Sequence, residues 1–112
     1  MSESAGPVYG RIGILLNPQS GHVRRRLSWW RKRTASVPGA VVREAVSPPE
    51  VARALDQLRG EAVGLLVLIG GDGTLQALLT AAGLAGREPL PVLVIPGGTT
   101  NMSALGLGAG RS

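Results

Sequence analysis

No cysteine and no phenylalanine occur among the 112 residues, and the aromatic set is Tyr9, Trp29 and Trp30. Without thiols there is no disulfide framework, no thiolate metal site and no cysteine nucleophile. One histidine, His22, cannot build a histidine cluster, and beside a helix start it reads as solvated. Nowhere does an apolar run approach the roughly 18 residues of a membrane span, and the polar, small Met1 to Gly10 stretch lacks the pattern of a signal peptide. The default expectation is a soluble cytoplasmic protein. With so few aromatics, aliphatic side chains must build the core of what the length allows, a single domain.

What the chain has instead is glycine, 17 residues of it, and its placement is informative. Gly70-Gly71-Asp72-Gly73-Thr74 follows the apolar run from Val63 to Ile69 and precedes the helix-like stretch from Leu75 to Leu79. A buried strand thus enters a glycine turn and leaves as a helix. Glycines let a polyanion approach the backbone, and the unpaired N–H groups of a helix start favour a phosphate. The spacing excludes two better-known loops. A dinucleotide fingerprint needs a glycine where Gln76 stands, and no Gly-Lys-Ser/Thr of a Walker loop occurs. Asp72 therefore has another purpose: holding Mg²⁺ against nucleotide phosphates, meeting a hydroxyl, or capping the following helix.

Two more loops share this design. Arg11 to Leu16 reads as a strand running into Asn17-Pro18-Gln19-Ser20-Gly21, and Pro91 to Ile95 as another running into Pro96-Gly97-Gly98-Thr99-Thr100-Asn101. In an open parallel α/β sheet these loops lie along the carboxyl edge, where such folds bind ligands. Any single one is an ordinary βα turn by composition; three together point to a nucleotide site.

The ordered trio resembles the diacylglycerol kinase catalytic-domain family, which includes bacterial lipid kinases and sphingosine kinases. The central glycine–aspartate loop is shared more distantly with NAD kinases and phosphofructokinases. The resemblance runs from about Arg11 to about Leu107. It implies an ATP site over Asn17 to Gly21, with Asn17, Ser20 and Gly21 named as contacts, over Gly70 to Gln76, with Gly70, Gly71, Asp72, Gly73, Thr74 and Gln76 named, and on Gly98 and Thr99. Ser47 matches a family threonine softly, since Ser47-Pro48-Pro49-Glu50 is equally a capping box with proline at the first helical position. Two departures stand out. Gln76-Ala77 replaces the Asn-Glu common in bacterial members, and Met102 stands where many carry Asp.

By resemblance the activity is transfer of the ATP γ-phosphoryl group to a lipid hydroxyl such as that of diacylglycerol, with ATP and Mg²⁺ as the bound groups. Gly71, Gly73 and Thr74 are expected at the phosphates. Asp72 is expected at the metal or in organising the phosphate loop, and it is the one candidate catalytic residue in the chain. The family carries its presumed general base on a downstream β-sandwich domain, whereas this sequence stops at Arg111-Ser112. The expectation is a nucleotide-binding half, inactive alone. It comprises an N-terminal tail over 1–10, the kinase-like domain over 11–107 and a frayed end over 108–112. A non-catalytic nucleotide-binding or interaction module, and an NAD kinase-like enzyme, are the alternatives.

The coarse order is strand 11–16, helix 22–35, strand 40–46, helix 49–59, strand 63–69, helix 74–84, strand 91–95 and a short helix after Asn101. Alternation at this spacing predicts an α/β fold, a three-layer open parallel sheet with helices on both faces. In the helix over 49–59, Val51, Ala54, Leu55 and Leu58 follow helical spacing, and Gly60 is expected to close it. The charges of Val41 to Val46 place that strand at an edge.

Net charge is +5, and six of the twelve basic residues lie between Arg24 and Arg33. At about 100° per residue, Val23, Leu27, Trp30 and Thr34 form a stripe facing the sheet, which leaves Trp29 among Arg25, Lys32 and Arg33. The preferred reading is a solvated basic face with Trp29 over an arginine stem or against another domain. Peripheral contact with an anionic membrane through Arg24, Arg25, Trp29, Lys32 and Arg33 ranks second, and nucleic acid third. A bare sheet edge also predicts a homo-oligomer or a covering domain.

Overall fold

The computed structural model describes residues 10–85 and 90–96. Within them the order is β1 (Arg11–Leu16), α1 (Gly21–Arg25), α2 (Leu27–Ala35), β2 (Val41–Glu44), α3 (Pro48–Gly60), β3 (Val63–Gly70), α4 (Asp72–Ala85) and β4 (Val92–Pro96). All strand pairs are parallel, and the sheet order is β2-β1-β3-β4. The fold is the expected open parallel α/β sheet, with β2 at an edge as its charges implied.

Strand alternation divides the apolar residues between two faces. Leu15, Leu66, Leu68 and Val94 point to one, where they pack with Val51, Leu55 and Leu58 of α3 and Leu78 of α4. Ile14, Leu16 and Ile69 point to the other and meet Val23 of α1 and Leu27 and Trp30 of α2. Among the described residues the buried hydrophobic core is wholly aliphatic. Gly13 is required at its position: a Cβ there would lie 2.8 and 2.9 Å from the two Val63 methyl carbons. Those methyls come so close because the β1–β3 pairing shifts register between Arg11 and Ile12, with Val63 opposite Arg11 and Leu65 opposite Ile12.

Helix α3 forms as its sequence dictates. Ser47 Oγ accepts from the Glu50 N–H at 3.4 Å, while Glu50 Oε1 accepts from the N–H groups of Ser47 (3.1 Å) and Val46 (2.8 Å). This is a complete capping box. Its predicted apolar stripe, Val51, Ala54, Leu55 and Leu58, is buried.

Three local expectations differ. The helix expected over 22–35 is two helices, because Arg26 leaves helical geometry at φ −132° and ψ 40°. The stripe survives this break: Val23 and Thr34 are buried, and Leu27 and Trp30 pack against the second cluster. Gly60 does not stop α3 by its own conformation. It is the last helical residue, and the left-handed step falls on Ala62 at φ 65°. Helix α4 begins two residues earlier than expected, at Asp72, so Asp72 occupies the first helical position, with no side-chain hydrogen bond among the described residues. The expected short helix after Asn101 lies outside the described residues.

Candidate functional site

Strand order fixes where a ligand can enter. Chain direction takes β1 to β2 on one side and then, across β1, to β3 on the other, so the connections after β1 and β3 leave toward opposite faces of the sheet. Between two such diverging loops the carboxyl edge of the sheet opens into a crevice. Here the loops are Asn17 to Ser20 and Gly71 at the start of α4.

One side chain ties them together. The Asn17 N–H donates to the Ile69 carbonyl (2.9 Å), anchoring the first loop on β3. Its side-chain Oδ1 accepts from the Gln19 N–H (2.9 Å), which folds the loop back. Its Nδ2 then donates to Thr74 Oγ1 at 2.7 Å, crossing to the first turn of α4. Thr74 is 5% exposed. Because its oxygen accepts from Asn17, its hydroxyl proton is left for another acceptor, and none receives it among the described residues.

Around this bridge lies a cleft of about 360 Å³ lined by Asn17, Gln19, Ser20, Gly71, Gly73 and Thr74, with Val46 and Pro48 on the far wall. Gly70 sits beneath it. A Cβ on Gly70 would lie 3.1 to 3.3 Å from Thr74 Oγ1, Thr74 Cβ and Asn17 Cβ, so its absence allows the two loops to approach. A Cβ on Gly71 would meet Ser20 Oγ at 3.5 Å, whereas one on Gly73 would meet nothing within 4 Å. The α4 N-terminus, whose first N–H groups lack intrahelical partners, opens on the same cleft. Among the described residues the lining carries hydroxyls, amides and backbone N–H groups, and no titratable side chain. Such a wall suits an anion that arrives with its own charge.

Of the residues singled out from sequence, Asn17, Ser20, Gly71, Gly73 and Thr74 share this cleft, with Gly70 directly under it. Gly21 is the exposed first residue of α1. Gln76 borders an adjoining hollow of about 390 Å³ that shares Pro48 and Gly73 with the cleft. Asp72 is exposed and is not part of the lining. Ser47 is engaged in the capping box, while its neighbours Val46 and Pro48 reach the cleft. Those backbone hydrogen bonds also hold the Glu50 carboxyl below its ordinary pKa. Gly98 and Thr99 lie outside the described residues. Gln19 falls within the expected stretch from Asn17 to Gly21, whereas Val46 and Pro48 were not among the expected contacts. Gln19 was signalled by its place inside the first polar loop; an apolar valine and a helix-starting proline carry no comparable signal.

The profile of the diacylglycerol kinase catalytic domain matches residues 11–112. The chain belongs to that family. Two solved structures from Bacillus anthracis str. Sterne, one described as a candidate diacylglycerol kinase and one as a diacylglycerol kinase, share its fold. The first superposes with a TM-score of 0.63 at 24% identity over 94% of this chain; the second gives 0.59 at 22% over 95%. This diacylglycerol kinase domain spans 36% of the length of each. None of the curated proteins compared matches it.

Proposed function

We propose that this diacylglycerol kinase-family chain is the nucleotide-binding part of a lipid kinase, holding ATP with Mg²⁺ between the loops after β1 and β3. The carrying observation is the Asn17–Thr74 bond that joins the two loops, which leaves the Thr74 hydroxyl proton with no acceptor among the described residues. Thr74, Ser20 and the backbone N–H groups of Gly73 and Thr74 form the donor set for phosphate oxygens. Gly71 and Gly73 keep the approach clear of side chains. Asn17 acts through Thr74 and the loop rather than on the nucleotide itself.

ATP supplies the transferable phosphoryl group, and Mg²⁺ neutralises the phosphate charge that develops around it. Among the described residues no group of three or more acidic or histidine side chains could hold a metal ion. The site therefore fits Mg²⁺ as an ion that phosphates and water mostly surround, with Asp72, exposed between the lining residues Gly71 and Gly73 and itself outside the lining, as the carboxylate of that loop. Phosphoryl transfer depends on positioning and charge compensation, which is what this wall provides.

Among the described residues no titratable group lines the cleft, so a lipid hydroxyl would find no base among them to take its proton. The purified chain is accordingly expected to bind ATP–Mg²⁺ without phosphorylating diacylglycerol. A radiolabelled-ATP assay on mixed micelles tests this; robust diacylglycerol phosphorylation by the chain alone contradicts it. A cytoplasmic protein acting on a lipid must also meet a bilayer peripherally. No helix among the described residues is long and apolar enough to cross one.

A further inference from the structure

Beside the phosphate cleft lies the second hollow, about 390 Å³ between α3 and α4, and the two share Pro48 and Gly73. A ligand whose phosphates rest against Gly71, Gly73 and Thr74 is therefore already at its entrance. The walls are apolar and slight: Ala52 stands on α3, and Ala77 and Ala81 stand about one turn apart on α4. Longer side chains at these positions would fill the space.

Two polar side chains border the hollow, Gln76 and Thr80, again about one turn apart on α4. Both are exposed, and neither side chain has a hydrogen-bond partner among the described residues. Thr34 on α2 shows the alternative, since its hydroxyl donates to the Trp30 carbonyl of its own helix at 2.9 Å. Thr80 makes no such bond among the described residues. The hollow thus combines apolar walls, a hydroxyl, an amide that both donates and accepts, and continuity with a phosphate site.

We infer that Gln76 selects adenine in this hollow, reading the base of the nucleotide whose phosphates occupy the cleft; the inference rests on the nucleotide-binding reading. The flat ring lies along the alanine walls, and the amide meets its edge. An amide sets a donor beside an acceptor. Adenine complements that pair on either of its hydrogen-bonding edges, through the 6-amino group with N7 or with N1. Guanine sets two acceptors side by side on one edge and complements an amide only on the other. Gln76 is accordingly a specificity residue and takes no part in the transfer step. Standing where many bacterial members carry Asn, it gives the amide one methylene more reach. A lipid acyl chain would fit the same walls but leave the amide unused, and a ribose hydroxyl would use the amide but not the walls.

Calorimetric titration of the chain with the Mg²⁺ complexes of tripolyphosphate, ATP, 2′-deoxy-ATP and GTP tests this. The wild type is expected to bind ATP about tenfold more tightly than GTP. Gln76→Leu is expected to bind ATP and GTP alike while keeping its affinity for tripolyphosphate. Gln76→Glu is expected to turn the preference toward GTP, because guanine offers two adjacent N–H donors to a carboxylate. Gln76 is exposed, and leucine and glutamate are good helix formers, so both variants should fold, which far-ultraviolet circular dichroism checks. Equal wild-type affinity for ATP and GTP overturns the inference, and so does an ATP preference that survives in Gln76→Leu. Loss of tripolyphosphate binding in Gln76→Leu overturns it by placing Gln76 at the phosphates. A preference for ATP over 2′-deoxy-ATP that Gln76→Leu abolishes overturns it by placing Gln76 at the ribose. Those results leave the nucleotide reading standing, whereas a folded chain that binds neither ATP nor tripolyphosphate removes both.

Discussion

Thr74 concentrates the chemistry of the crevice in one hydroxyl. Its oxygen accepts the Asn17 bond at 2.7 Å while the residue itself is 5% exposed. Replacing it by valine keeps the shape but strands the Asn17 amide and removes the donor to a phosphate. Thr74→Val is expected to cost about 1–3 kcal/mol in urea unfolding and to weaken ATP binding, whereas Thr74→Ser keeps both; equal behaviour of the two variants would show that the hydroxyl is idle. Gly13 tests the packing beneath. Its missing Cβ would lie within 2.8 Å of a Val63 methyl carbon, so Gly13→Ala is expected to lose about 1–3 kcal/mol, measured by the same urea midpoint. At this scale the glycine loop and the Asn17 loop were legible in the sequence because their composition is specific to backbone-lined turns. The Asn17–Thr74 bond was not, since it joins residues 57 apart and depends on which strands are neighbours.

Secondary-structure elements were legible where local chemistry decides them. Ser47 and Glu50 announced the start of α3, and its apolar spacing announced its buried face. The break at Arg26 was not announced, because neither glycine nor proline marks it. That break lets Val23 and the Leu27–Trp30–Thr34 stripe each settle on the sheet. Helix α3 also allows the two readings of Ser47 to be separated. As a cap, Ser47→Ala is expected to destabilise the fold by about 1 kcal/mol with ATP affinity unchanged; a loss of affinity without a loss of stability would make Ser47 a nucleotide contact instead. Backbone hydrogen bonds from Ser47 and Val46 hold Glu50 below the ordinary carboxylate range, and the Arg31 hydrogen bonds do the same for Glu44. A depressed folded pKa means stability that is fully present above the unfolded value of about 4.3 and lost as pH falls through the folded one. Stability is therefore expected to decline on acidification in that window, and Glu50→Gln to flatten the decline; an unchanged acid limb in that variant would deny the cap its role.

For the molecule as a whole, the parallel sheet and its layers followed from the alternation of strands and helices. What alternation leaves open is the strand order, and strand order is what puts the β1 and β3 loops side by side. The crevice depends on that adjacency. The charged edge strand β2 was recognisable because charges are tolerated there, but nothing in a linear pattern shows which strands become neighbours. The nucleotide crevice remains the central claim, and calorimetric titration of the purified chain with ATP and Mg²⁺, repeated on Thr74→Val and Asp72→Ala, tests it most directly. Saturable binding that is weakened in the first variant and becomes less dependent on Mg²⁺ in the second is the predicted result; no heat of binding in the folded wild-type chain would contradict it.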